Sequence, residues 1–118
     1  MGQKLPINEV LKTICPNVYF NPPEGLKLVY PCIVYNLDNI EPFRADGRIY
    51  VKHRKYTVTI IDRNPLSQLP DALLELPYCN HDRTFVNDNL VHFVFTLYSS
   101  NDGWLWSPFD FRYGHTTF

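Results

Sequence analysis

The chain has 118 residues, of which 45% are hydrophobic and 15% aromatic; this excludes wholesale disorder and leaves room for one core but not two. A formal net charge of -1 gives no bulk attraction to nucleic acid or to an anionic membrane, so an electrostatic partner has to be read by a local patch. Ten prolines against five glycines indicate a chain punctuated by stiff turns.

In chain order, LPINEVLKTIC (5–15) places Leu5, Ile7, Val10, Leu11 and Ile14 near one helical face, with Asn8 as the expected cap and Pro16 as the stop. NPPEG at 21–25 reads as a turn. LVYPCIVYNL (28–37) reads as a strand that Pro31 confines to a strand start or an edge. DNIEPFRADGR reads as a polar loop containing Pro42 and Asp46-Gly47. RIYV and KYTVTIID read as two strand runs meeting in a hairpin around Lys52-His53-Arg54. In the second run Tyr56, Val58 and Ile60 face one way, and Thr57, Thr59 and Ile61 the other.

SQLPDALLELP reads as the second helix, capped by Ser67, with Pro70 in its first turn and Leu69, Ala72, Leu73 and Leu76 as its apolar stripe. HDRTFV and NLVHFVFTLYSS read as two strands joined at Asn87-Asp88-Asn89. The remainder, NDGWLWSPFDFRYGHTTF, is aromatic and has no clear period. This order predicts one α+β domain over 1–118: an antiparallel sheet with two helices packed on it, one long projecting β-hairpin loop, and an aromatic tail over 100–118.

Cys15, Cys32 and Cys79 are odd in number, widely spaced and set beside apolar residues, so they are expected to be reduced and buried rather than a disulfide framework. MGQKLPINEV lacks the apolar stretch of a signal peptide, and Pro6 stands where a myristoylation pattern needs Ser or Thr. The longest apolar run, LVHFVFTLY, is far too short to span a bilayer. The expectation is a soluble protein made in the cytoplasm.

Asp62 ends a β-rich run just before Asn64-Pro65, where a strand-end acid or base is one reading. No Ser/His/Asp or paired-carboxylate spacing accompanies it, and an Asp that turns the chain by bonding backbone N–H groups is the better reading. Arg63 beside it is a candidate to pair with Asp62 or with a neighbouring subunit. Cys79, His81 and Asp82 suggest a metal only weakly, because zinc needs four ligands and the other Cys and His are scattered singles. His92 reads as a hydrogen-bonded sheet histidine. No phosphate loop or dinucleotide fingerprint occurs, and neither a catalytic residue, a metal nor a cofactor is expected.

Two features carry more information. Arg44, Arg48, Lys52, Arg54 and Lys55 are five of the eleven Lys and Arg residues, packed into twelve positions with Asp46 as the lone acid. They read either as a solvated hairpin tip or as a loop that meets phosphates. Trp104, Trp106, Phe109, Phe111, Tyr113 and Phe118 fall within fifteen positions; they must fold back on their own domain or anchor on another chain, and a neighbour contact is favoured.

The succession YPCIVYNLDN, ADGRIYVKHRKYTVTIIDRNPLSQLPDALLELPYC and HDRTFVNDNLVHFVFTLY resembles the tail terminator, or tail completion, proteins in the neck of long-tailed bacteriophages. The resemblance covers about residues 28–98 and rests on the order of segments rather than on one motif. It implies a non-enzymatic structural protein forming a hexameric ring on the last ring of the tail tube, which stops tube growth and docks to the head connector. Its implied partners are further copies of itself, the major tail protein and a head-completion or connector protein. DNA would pass through as cargo, no membrane is involved, and the chain would be assembled in the host cytoplasm into the virion. The loop over about 38–55 would project from the core. The rival readings are another neck protein, such as a head-completion protein; a small nucleic-acid-binding module using the 44–55 hairpin; and, last, a metal-dependent or carboxylate enzyme.

Overall fold

The computed structural model describes residues 4–45, 48–99 and 104–106. Its elements are β1 (Lys4–Pro6), α1 (Ile7–Ile14), β2 (Val18–Phe20), β3 (Cys32–Ala45), β4 (Arg48–Asp62), α2 (Leu69–Leu74), β5 (Cys79–Asn87), β6 (Leu90–Ser99) and β7 (Trp104–Trp106). Five strands form the main sheet in the order β2-β3-β4-β6-β5, and β1 pairs with β7 in a second, two-stranded sheet. The class is α+β, as the sequence indicates, but the main sheet is mixed rather than antiparallel. β2 runs parallel to β3, with Val18 opposite Ile33 and Phe20 opposite Tyr35. A parallel neighbour needs a crossover, and the proline-bearing stretch 21–31 makes it.

α1 forms because Ile7, Val10 and Leu11 recur at helical spacing, and all three are buried. Its N-cap is Pro6 with no side-chain hydrogen bond, rather than the expected Asn8. Pro6 brings a fixed φ into the first turn and has no N–H to satisfy. Glu9 in the first turn and Lys12 in the last complement the helix dipole. The helix ends where Cys15 turns to extended backbone, its N–H still donating to the Leu11 carbonyl at 3.0 Å.

α2 is shorter than its apolar stripe implied. Ser67 still acts at its start: its Oγ accepts the Leu69 N–H at 3.3 Å while Gln68 holds the cap position. Pro70 sits in the first turn. Past Leu74 the chain continues in 3₁₀-like bonds, the Glu75 and Leu76 N–H groups donating to Ala72 and Leu73.

Both helices lie on one face of the sheet. Ile33 and Tyr35 of β3, Tyr56, Val58 and Ile60 of β4, and Phe95 and Leu97 of β6 pack there against Ile7, Val10, Leu11, Leu73 and Leu76. The register explains the set: Tyr35 lies opposite Val58, which lies opposite Phe95, so one row of the pleat crosses three strands. The other face carries Thr57, Thr59, Thr96 and His92, half-buried, beside buried Cys32, Ile61 and Val94. The alternation expected for Tyr56–Ile61 is therefore the one observed.

β5 and β6 form a hairpin through a two-residue turn, with Asn87 opposite Leu90. Asp88 and Asn89 have φ of 53° and 61°, the left-handed pair that a type I′ turn requires and that Asp and Asn tolerate best. β5 is the sheet edge. All its residues but Cys79 are exposed, and a register shift between His81 and Arg83 interrupts it, as is common on edges. Among the described residues no helix is long and apolar enough to cross a membrane.

Candidate functional site

The basic cluster lies on a ladder, not on a loop. The stretch expected to be a polar loop, 38–48, continues β3 as far as Ala45, and the expected hairpin turn at Lys52-His53-Arg54 is uninterrupted β4. The turn falls instead between Ala45 and Arg48, around Asp46-Gly47, which lies outside the described residues. Composition misled because charged residues are poor strand formers, whereas here each is held by a hydrogen-bonded partner across the pair. Pro42 is accommodated because β3 has already lost β2, whose pairing ends at Tyr35, so Pro42 sits at an edge.

The register orders the cations along this ladder: Arg48 opposite Ala45, Arg44 opposite Ile49, Lys52 opposite Pro42, Arg54 opposite Ile40 and Lys55 opposite Asn39. β6 accompanies β4 only as far as Arg54, which pairs with Ser99. Beyond that point, among the described residues, β3 and β4 pair with each other alone. Arg54 and Lys55 do not make one patch. The two are successive on a strand, so Arg54 falls in line with Tyr56 under the helices and Lys55 in line with Thr57 on the opposite face. Both are half-buried, and Arg54 is already engaged within the chain.

At the other end of β4 the chain turns by the bonds expected of it. Asp62 Oδ1 accepts the Asn64 N–H at 3.1 Å, Asn64 Oδ1 accepts the Leu66 N–H at 2.9 Å, and the Ser67 N–H donates to the Asn64 carbonyl at 3.2 Å. These are successive Asx turns, and they commit the Asp62 carboxylate to the backbone. Arg63 is exposed, and its guanidinium lies over the Tyr30 ring, 5.7 Å from the centroid. It does not pair with Asp62.

Arg63 and Tyr30 border an open cleft of about 710 Å³ whose other wall is the stretch from Gly25 to Val29. Sequence reasoning did not find this cleft, because it joins the crossover loop to the end of β4. The loop is pinned in place: the Val29 N–H donates to Tyr19 Oη at 3.2 Å, and the Leu26 N–H to the Pro23 carbonyl at 3.2 Å. The Pro31 carbonyl takes both Asn17 Nδ2 at 3.1 Å and the Cys15 thiol at 3.5 Å. Gly25 has a φ of 86° and makes the bend in the left-handed region.

Cys15 and Cys32 are free and buried, and Cys79 is free and half-buried. Burial, with Cys15 close by, pushes the Cys32 thiol up to about 11. Burial and then the Asp82 charge push Cys79 up to about 12. His81 and Cys79 share one side of β5, but His81 Nε2 is bonded to Thr84 Oγ1 at 2.8 Å, and Asp82, at the register shift, accepts through Oδ2 from Thr96 Oγ1 at 2.6 Å. No three His, Cys, Asp or Glu side chains group as metal ligands among the described residues. His92 is the sheet histidine expected, bonded through Nδ1 to the Leu90 carbonyl at 3.1 Å and stacked on Phe85 at 4.7 Å.

The aromatic tail divides. The backbone of Trp104–Trp106 pairs with β1 of its own chain, Trp104 opposite Pro6 and Trp106 opposite Lys4. Phe109, Phe111, Tyr113 and Phe118 lie outside the described residues. Compared with known proteins, the chain matches no family model, no curated protein and no solved structure.

Proposed function

We propose that this chain is a structural subunit of a phage neck: a tail-terminator-type protein that closes into a ring, caps the tail tube, ends its growth and joins it to the head connector while DNA passes through. The observation that carries the reading is the division of β3 and β4 into a part covered by helices and a cation-bearing two-stranded ladder beyond the end of β6. A ring brings several such ladders together and sums a field that one copy is too weakly charged to make. Such a field eases a polyanion through an opening without reading its bases. The long open edge of β5 supplies a second surface for contact between copies. The chemistry required of this protein is geometric, and the commitment of Asp62 to its turn is in keeping with that.

The test is a capping assay. Tail-tube protein is polymerised with and without the full chain, and tube lengths are measured by electron microscopy. Shorter tubes bearing a terminal ring are expected. Tubes of unchanged length with bare ends would reject the reading.

The same ladder favours a second reading, a small nucleic-acid-binding module. Filter binding separates the two, since a module that grips phosphates loses affinity steeply as salt rises.

A further inference from the structure

The cleft between the crossover loop and Arg63 has a charge and shape that the ladder does not explain. Its lining includes two cations, Lys27 and Arg63, and no carboxylate. Leu26 and Val29 stand 46% and 59% exposed along it, a large apolar area to leave in water beside two charges. The Arg63 guanidinium lies over the Tyr30 ring, 5.7 Å from its centroid, and a guanidinium is the group that takes a carboxylate in two hydrogen bonds. Because the bonds from Val29 to Tyr19 and from Asn17 and Cys15 to Pro31 already hold the loop, little ordering is needed on binding.

We infer that this cleft is a docking site for a peptide segment in which a carboxylate is flanked by aromatic side chains, and that its occupant is the stretch Phe109-Asp110-Phe111 of a second copy of this chain. Of the twelve Asp and Glu residues, Asp110 alone has an aromatic residue on both sides. Its carboxylate meets Arg63 and Lys27, and its flanking rings cover Leu26, Val29 and Tyr30. The cleft and the segment are different patches, so the contact is head-to-tail, the kind that closes a ring. The inference rests on the ring reading and names the contact that would hold it.

The experiment is a charge swap read by light scattering on the full-length chain, with circular dichroism as the check on folding. Arg63→Asp and Asp110→Arg should each weaken self-association by roughly tenfold or more. Mixed in equal amounts, the two variants should associate again, because each altered cleft then meets the altered segment of its neighbour. Restoration only when both changes are in one chain would mean that the segment seats in its own cleft, which overturns the proposal. Single variants that associate like the parent would overturn the cleft assignment while leaving the ring intact. A parent chain that stays monomeric would remove the ring reading itself.

Discussion

Between Tyr56 and Ile60, β4 has β3 on one side, β6 on the other and two helices over one face, and Tyr56, Val58 and Ile60 are at most 6% exposed. Between Arg48 and His53 the same strand is bordered, among the described residues, by β3 alone and carries Arg48 and Lys52. Pairing with β3 extends through both halves, with register shifts at Leu37/Asn39 and Phe43/Arg44, but only the first half is also paired with β6. The covered half is fixed by burial, and the free half is left to carry charge. On the proposed reading, stability is drawn from one end of this strand and function from the other.

Breaking the covered half should have the largest effect. Phe95 is fully buried at the β6 end of the three-strand row, and Phe95→Ala is predicted to cost about 3–5 kcal/mol, read as a shift in the urea midpoint. Alkaline pH probes the same core more gently. The Cys32 and Cys79 thiols are held above the ordinary value of 9.0, so the unfolded chain gives up these protons first. Stability should be complete below pH 9 and fall as pH rises through about 11 for Cys32 and about 12 for Cys79. Tyr35, raised by burial and by its neighbour Tyr56, acts in the same direction. Urea midpoints that stay flat from pH 8 to 11 would contradict this.

The hairpin turn comes next. Asn89→Ala puts a residue with poor left-handed tolerance at a φ of 61° and should cost about 1 kcal/mol, whereas Asn89→Gly should cost nothing measurable. The smallest effect belongs to the two lysines of the ladder. Lys52→Glu and Lys55→Glu are each predicted to change stability by less than about 0.5 kcal/mol, measured in the same urea titration. Arg54 is left out of that set because it is already engaged within the chain. If either lysine change costs as much as the turn mutation, the division of labour along β4 is wrong.

The sequence made the covered half legible and the free half not. Period 2 across Tyr56–Ile61 and period 3.6 across Ile7–Leu11 are records of burial, and both were readable because a core imposes them. The turn chemistry of Asp62, Asn64 and Asp88-Asn89 was readable for the same local reason. The ladder over 39–54 is defined by pairing with a partner strand rather than by a local period, so its prolines and charges read as a loop. Val18–Phe20 and Lys4–Pro6 are three-residue strands defined by distant partners, and no local signal marks them. The cleft depends on Tyr30 meeting Arg63 across thirty-three positions, a juxtaposition that only the fold supplies.

The claim on which the function depends is that copies of this chain close into a ring with the ladders gathered around one opening. Native mass spectrometry of the full-length chain at micromolar concentration, paired with negative-stain images of the same sample, tests it most directly. The account predicts a single closed oligomer, six copies if the resemblance holds, with a central hole and no open filaments. A chain that remains monomeric, or that associates into open fibres, would contradict it.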